Sequence, residues 1–187
     1  MNTDTIKLTN GIDTSALRGA IDAITQDPAA GQTHWSVRSE WKGGTRTDHH
    51  VTSFDIGGET VARPFTIRID EPLELCGTNE YANPQEYLLS ALNACMMVGY
   101  SAVAALMGIE LESLEVRVEG DIDLRGFLGI DPAVANGYES LQQTVRISAK
   151  NASDDDLRAL HDAVLATSPN FFNITKAIPT NARLEIR

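Results

Sequence analysis

The residue with the greatest chemical capacity in this sequence is Cys95, which lies within a segment at 87–109 that contains no charged residue. A thiolate is a strong nucleophile, whereas a thiol among apolar groups is inert and packs as a small hydrophobic residue. On a helix its neighbours at spacings of three, four and seven residues are apolar and mostly small: Ala91, Leu92, Val98, Gly99 and Ala102. A reactive Cys95 therefore needs a cation brought to it by another part of the fold. The alternative, in which Cys95 only packs, stays open.

The four histidines offer little further chemistry. His49 and His50 are adjacent in a predicted strand and point to opposite faces, and His34 and His161 stand alone. We interpret them as solvated surface residues and predict no metal site. The sequence contains no GxGxxG, Walker, HExxH or GxSxG motif, so no nucleotide and no other cofactor is expected either.

Composition narrows the class of protein further. The chain has 187 residues, with 26 acidic and 15 basic side chains and a net charge of −11, which argues against nucleic acid or an anionic membrane as the main partner. Two cysteines are too few to hold a secreted chain of this length together, so we expect the reducing cytoplasm. Residues 1–10 carry no apolar run, and no signal peptide is predicted there.

The element that must position Cys95 is a long helix predicted over 84–107. Asn83 supplies an N-cap, Pro84 suits the first helical position, and Gly108 suits the C-terminal cap. The helix is long enough to span a membrane, but Glu86 and Glu110 flank it and no Lys or Arg cluster does. We therefore predict a buried central helix, and a helix that is apolar all round must be covered on several sides. One subunit of this size offers little surface for that, which favours a dimer.

The other predicted elements give the order βββ-α-ββ-α-β after an N-terminal helix at 14–25, an α+β layout. Strands at 34–41, 47–56 and 60–69 form an antiparallel meander in which Pro64 marks an edge. Strands at 111–124 and 138–149 follow the long helix. Ser153 and Asp156 form a capping box for a helix that runs to 167, where Ser168 and Pro169 stop it. A short strand at 182–186 ends the chain.

Residues 83–95, NPQEYLLSALNAC, resemble the first cysteine motif of the OsmC/Ohr family, the osmotically inducible protein C and organic hydroperoxide resistance proteins. The resemblance extends to the WKGGTR turn at 41–46, the Gly-Gly hairpin at 57–58, the DEP sequence at 70–72 and the Gly-Ile pair at 108–109. It covers about 33–187. On this basis we divide the chain into an N-terminal helical extension at 1–30 and an OsmC-like domain at 31–187.

The resemblance implies an OsmC-like fold, with antiparallel sheets packed around long central helices in an intertwined homodimer. It also implies peroxiredoxin-like activity in the oxidative stress response, in which the thiolate of Cys95 attacks the O–O bond of an organic hydroperoxide. In the family an arginine favours the thiolate and a carboxylate of the NPEE segment holds that arginine. Arg46 matches the arginine best and Arg38 is a weaker candidate. Gln85 occupies the position of the family glutamate, which leaves the adjacent Glu86 as the predicted support.

The second departure from the family concerns the resolving cysteine, which normally precedes a proline near the C-terminal helix. Ser168 stands at that position, and a serine cannot form a disulfide. Cys76 is one candidate substitute, and an external thiol reductant is another. Apolar walls for a hydroperoxide are expected from Met96, Met97, Phe171 and Phe172, which can equally be core residues. Two alternatives remain open: a non-catalytic protein that binds a small apolar ligand at the dimer interface, and a structural dimer in which Cys95 only packs.

Overall fold

The computed structural model describes residues 8–186, and the chain divides into two compact units, the first ending at Leu88 and the second beginning at Leu89. The prediction that 1–10 contains no signal peptide concerns residues that lie mostly outside the described ones. The long helix α2 (Pro84–Met107) begins in the first unit and continues into the second. The fold is mixed α+β with antiparallel sheets, as predicted.

The first unit is built on an antiparallel sheet in which β5 (Thr47–Ile56) is the shared strand. It pairs with β3 (Thr33–Trp35), β4 (Arg38–Trp41) and β6 (Glu59–Ile69). Ahead of the sheet lie the hairpin of β1 (Leu8–Thr9) and β2 (Ile12–Asp13) and the helix α1 (Thr14–Gln26). β6 pairs with β5 alone within the described sheet, so Pro64 does lie on an edge strand.

The start of α2 is set by a reciprocal cap. The Asn83 side chain accepts a hydrogen bond from the Glu86 backbone N–H at 2.8 Å, and Glu86 Oε2 accepts from the Asn83 N–H at 2.7 Å. The two bonds satisfy N–H groups that have no partner inside the helix. At the other end Gly108 has φ +74°, the left-handed conformation that glycine adopts without steric cost. The predicted bounds of this helix are therefore confirmed.

The second unit packs α2 and α4 (Asp154–Thr167) against the hairpin of β7 (Leu111–Glu119) and β8 (Gln142–Ala149). Between the strands lies the short helix α3 (Leu124–Phe127), and α5 (Pro169–Thr175) follows α4. The core consists of buried side chains from α2, from α4 and from the segment after α2: Leu92, Met96, Tyr100, Ala104, Ile109, Leu160 and Val164.

Five sequence predictions need correction. The predicted strand at 34–41 is two strands, β3 and β4, and the strands predicted at 111–124 and 138–149 are shorter, β7 ending at Glu119 and β8 starting at Gln142. The predicted strand at 182–186 is absent, since those residues carry no regular secondary structure. Ser168 and Pro169, predicted only to stop a helix, also begin α5, because a serine N-cap followed by proline is a helix start as well.

Candidate active site

Cys95 lies in the middle of α2 and is partly buried, and its nearest polar partner is a serine. The Ser168 hydroxyl donates a hydrogen bond to Cys95 Sγ, with the oxygen and sulfur 3.4 Å apart. Ser168 itself is 5% exposed. Ser168, which the family resemblance predicts at the resolving position, is therefore in direct contact with the thiol, although 73 positions separate the two residues along the chain.

Ser168 is held in place because it terminates one helix and begins the next. Its backbone N–H bonds to Val164 O at 2.9 Å, which closes the last turn of α4, and its side chain accepts from the Phe171 N–H at 3.3 Å as the N-cap of α5. Asn170, in the first turn of α5, donates from Nδ2 to Ala91 O at 2.8 Å. These bonds tie the α4–α5 junction to the turn of α2 that precedes Cys95.

Small residues of α2 allow this close approach. A Cβ atom added to Gly99 would lie 3.1 Å from Cγ1 of Val164, tighter than an ordinary van der Waals contact. Met96 is fully buried in the core and Phe171 packs against that core, so both have a structural role beside Cys95. Met97 and Phe172 are exposed by 37% and 60%.

In the first unit Arg46 is held by a carboxylate and an aromatic ring. Its guanidinium forms an ion pair with Glu80, Nη1 to Oε2 at 3.2 Å, and lies 5.6 Å from the centre of the Tyr81 ring. The Arg68 guanidinium lies 5.9 Å from the same ring centre. We call Arg46, Glu80 and Tyr81 the Arg46 clamp. Sequence reasoning did not identify Glu80 or Tyr81, although they lie three and two residues before the NPQE segment and could have been considered as partners.

The remaining candidate residues have other partners. The Glu86 carboxylate accepts the Asn83 N–H of the helix cap, while Arg46 is paired with Glu80. Gln85 is exposed, and Arg38 forms an ion pair with Glu40 on the sheet.

Cys76 is an exposed free thiol at the end of a short 3₁₀ helix. It has φ +62°, in the left-handed region that a residue with a side chain adopts only rarely.

The second unit contains a further polar pair, in which the fully buried Tyr100 hydroxyl is hydrogen bonded to Nδ1 of His161. Burial raises the pKa of Tyr100 to about 12, so its phenol stays protonated near neutral pH. This pair satisfies a polar group inside the core, and none of the candidate residues predicted from the sequence takes part in it.

The sequence matches the model of a known family over the segment that contains Cys95 and Ser168. The model, described as OsmC-like protein, matches residues 77–183. The chain belongs to the OsmC-like protein family. This OsmC-like chain is 24% identical over 153 residues to the uncharacterized protein YmaD of Bacillus subtilis (strain 168), an alignment that covers 82% of this chain and 91% of YmaD.

A solved structure with a TM-score above 0.5 shows the same fold. The OsmC-like protein of Mycoplasma pneumoniae matches with a TM-score of 0.55 at 17% identity, over 75% of this chain and 86% of that one. An organic hydroperoxide resistance protein OsmC from Legionella pneumophila matches with a TM-score of 0.48 at 17% identity, over 75% of this chain and 89% of that one.

The helix α2 of this OsmC-like chain is long and apolar. By length and composition alone, α2 is apolar enough to cross a membrane. A single helix of this kind is weak evidence for a span, because the core helix of a soluble protein has the same properties.

Proposed function

We propose that this OsmC-like protein reduces organic hydroperoxides through Cys95. The observation that carries the proposal is the Cys95 thiol, partly buried in the middle of α2, with its sulfur 3.4 Å from the Ser168 hydroxyl. A hydroxyl can donate a charge-assisted hydrogen bond to a thiolate, which is stronger than a bond between neutral groups. The site therefore has a nucleophile and one fixed donor, the Ser168 hydroxyl.

The proposed reaction is a two-electron transfer from sulfur to the peroxide. The thiolate attacks one peroxide oxygen, the O–O bond breaks, and the alkoxide that leaves takes a proton to become an alcohol. Cys95 is left as a sulfenic acid. An external thiol then attacks that sulfur and water leaves, and a second thiol displaces the mixed disulfide and regenerates Cys95.

A serine at the predicted resolving position leaves two candidates for the thiol that reduces the sulfenic acid. Ser168 contacts the Cys95 sulfur but has no sulfur of its own, so it cannot close a disulfide. Cys76 is a free, exposed thiol and remains a candidate for the resolving role, as does a small external dithiol. Titration of sulfenic acid after one equivalent of peroxide, in the wild type and in Cys76→Ser, distinguishes the two: only an internal resolving thiol makes the sulfenic acid disappear without added reductant.

We further propose that Arg46 supplies the cation that a reactive Cys95 requires. Its support is the Arg46 clamp, which holds the guanidinium against Glu80 and Tyr81, and a guanidinium keeps its charge at every pH of interest. Glu80 is the carboxylate in contact with it, and the support predicted from Glu86 remains a proposal. Arg38 and Gln85 are proposed only as auxiliary residues.

The assembly and the compartment are also proposals. The α2 helix exposes large apolar side chains, Leu88 by 44%, Val98 by 69% and Met107 by 45%, and a second copy of the chain is the partner that the family resemblance implies. We propose a cytoplasmic homodimer with an OsmC-like domain at 31–187 and an N-terminal extension at 1–30. Sedimentation at micromolar concentration tests the dimer, and a monomer there would contradict it.

The test of the activity is turnover of cumene hydroperoxide with dithiothreitol. Cys95→Ser should abolish turnover above the uncatalysed rate, and Cys76→Ser is the matched control that removes the other thiol. Equal rates for wild type and Cys95→Ser would refute the peroxidase proposal.

The non-catalytic alternative, binding of a small apolar ligand at the dimer interface, is favoured by one observation, the absence of a thiol at position 168. It predicts no turnover by the wild type, together with no effect of Cys95→Ser on ligand binding.

A further inference from the structure

Asp70 is a completely buried carboxylate in the first unit, at the end of β6. Its Oδ1 accepts a hydrogen bond from the Thr45 hydroxyl at 2.7 Å. Its Oδ2 accepts three, from the Thr78 N–H at 3.0 Å, the Thr78 hydroxyl at 2.5 Å and the Glu80 N–H at 3.2 Å. Burial of a charge is costly unless hydrogen bonds replace its water. Here four donors from two different segments replace it.

The two segments that meet on Asp70 are those that carry the Arg46 clamp. Thr45 directly precedes Arg46 in the turn between β4 and β5. Glu80 supplies one of the N–H donors and also the carboxylate that pairs with Arg46, and Tyr81 is the next residue. The Asp70 carboxylate is therefore bonded both to the turn that precedes Arg46 and to the segment that carries Glu80 and Tyr81.

We infer that Asp70 is a positioning residue for Arg46, which it fixes by joining the Thr45 turn to the segment at 78–80. The inference rests on the proposed function, in which Arg46 favours the Cys95 thiolate. The Arg46 side chain is 39% exposed, so its ion pair alone is weakened by solvent and does not hold the long side chain in one conformation. A fixed turn and a fixed partner loop restrict where the guanidinium can lie.

Asp70 remains charged throughout the range in which a thiol ionises. Hydrogen bonds from Thr78 and then from Thr45 hold the pKa of its carboxyl well below the usual range. A change in thiol reactivity between pH 5 and 9 therefore does not report the titration of Asp70.

The test removes one hydrogen bond of the network and leaves the carboxylate in place. Thr45→Val deletes the hydroxyl that bonds to Asp70 at nearly constant shape, and Thr45→Ser keeps it. Thr60→Val is the matched control, because it deletes a similar hydroxyl-to-carboxylate bond, to Asp55 Oδ1 at 2.6 Å, in the β5–β6 hairpin. All variants carry Cys76→Ser, so that Cys95 is the only thiol.

Two quantities are measured on each folded variant. The first is the pH profile of iodoacetamide alkylation of Cys95, with Arg46→Met as the limit in which the cation is lost. Removal of a neighbouring charge moves such a profile by about one pH unit or more, so Thr45→Val should slow alkylation at pH 7 by about 3-fold or more. The second is the Arg46 Nε–H signal in the NMR spectrum, which should broaden or shift in Thr45→Val and be restored in Thr45→Ser.

The outcomes separate this inference from the proposed function. If Arg46→Met slows alkylation and Thr45→Val behaves like Thr60→Val, the positioning role of Asp70 is overturned and the role of Arg46 is retained. If Arg46→Met has no effect, the proposed role of Arg46 fails, and the NMR signal alone tests the positioning role of Asp70. An Arg46 signal that is unchanged in Thr45→Val overturns that role. A changed signal that Thr45→Ser restores supports it.

Discussion

Substitution of Ser168 by cysteine should create the disulfide that this chain lacks. The Ser168 oxygen lies 3.4 Å from Cys95 Sγ, so an introduced sulfur needs to move closer by only about 1.4 Å to reach the S–S bond length of about 2.05 Å. The two residues are 73 positions apart, and a cross-link that closes a loop of that length stabilises the native state by about 4 kcal/mol in the chain-entropy model.

The assay uses Ser168→Cys with Cys76→Ser, oxidised by one equivalent of hydroperoxide or by diamide. We expect a mass loss of about 2 Da from two hydrogens, no thiol titre, and an oxidised protein that unfolds at higher urea concentration than the reduced one. Thr167→Cys is the matched control: its position is adjacent, but the native side chain is exposed and bonds to Ala163 O at 2.8 Å. Failure of Ser168→Cys to cross-link, or equal cross-linking by Thr167→Cys, would refute the contact between Ser168 and Cys95.

Two further predictions concern stability. Leu160→Ala should lower the free energy of unfolding by about 2–5 kcal/mol, because it leaves a cavity in a fully buried part of the core. Leu184 is 85% exposed, so Leu184→Ala should change that free energy by less than about 0.5 kcal/mol. Urea unfolding measures both. Asp70→Asn should make the free energy of unfolding depend less on pH in the acid range, as measured by urea unfolding at several pH values. An equal loss of that free energy in variant and wild type as the pH falls would contradict this prediction. The folded-state pKa of Asp70 is lowered, so its ionised form stabilises the wild type above about pH 4 and that contribution is lost as the pH falls further.

Local signals were sufficient to predict the elements whose ends are set by neighbouring residues. The bounds of β5 and of α2 agree with the prediction at both ends, since glycine turns flank β5 and the Asn83 cap and Gly108 bound α2. The capping box of Ser153 and Asp156 is present as predicted. Prediction failed at 182–186, where Leu184 and Ile186 alternate as in a strand but are 85% and 89% exposed. A strand needs a partner for its backbone groups, and a short alternation does not supply one.

In the candidate site, too, the residue types were predictable from the sequence and the contacts in space were not. The motif at 83–95 was sufficient to predict the family, because a motif is a pattern of residue types at fixed positions. The contact of Ser168 with Cys95 was not contained in that motif, since it depends on where α4 ends relative to α2 and on Gly99 leaving room for Val164.

The sequence by itself determined the α+β class and the helix that carries the thiol. Only the tertiary structure showed which side chains lie together: Glu80 and Tyr81 contact Arg46, and Asp70 bonds to the segments on which they lie. The physical reason is that helix caps and turns involve residues a few positions apart, whereas an ion pair or a buried carboxylate selects its partners by distance in space, across 34 positions in the pair of Arg46 and Glu80.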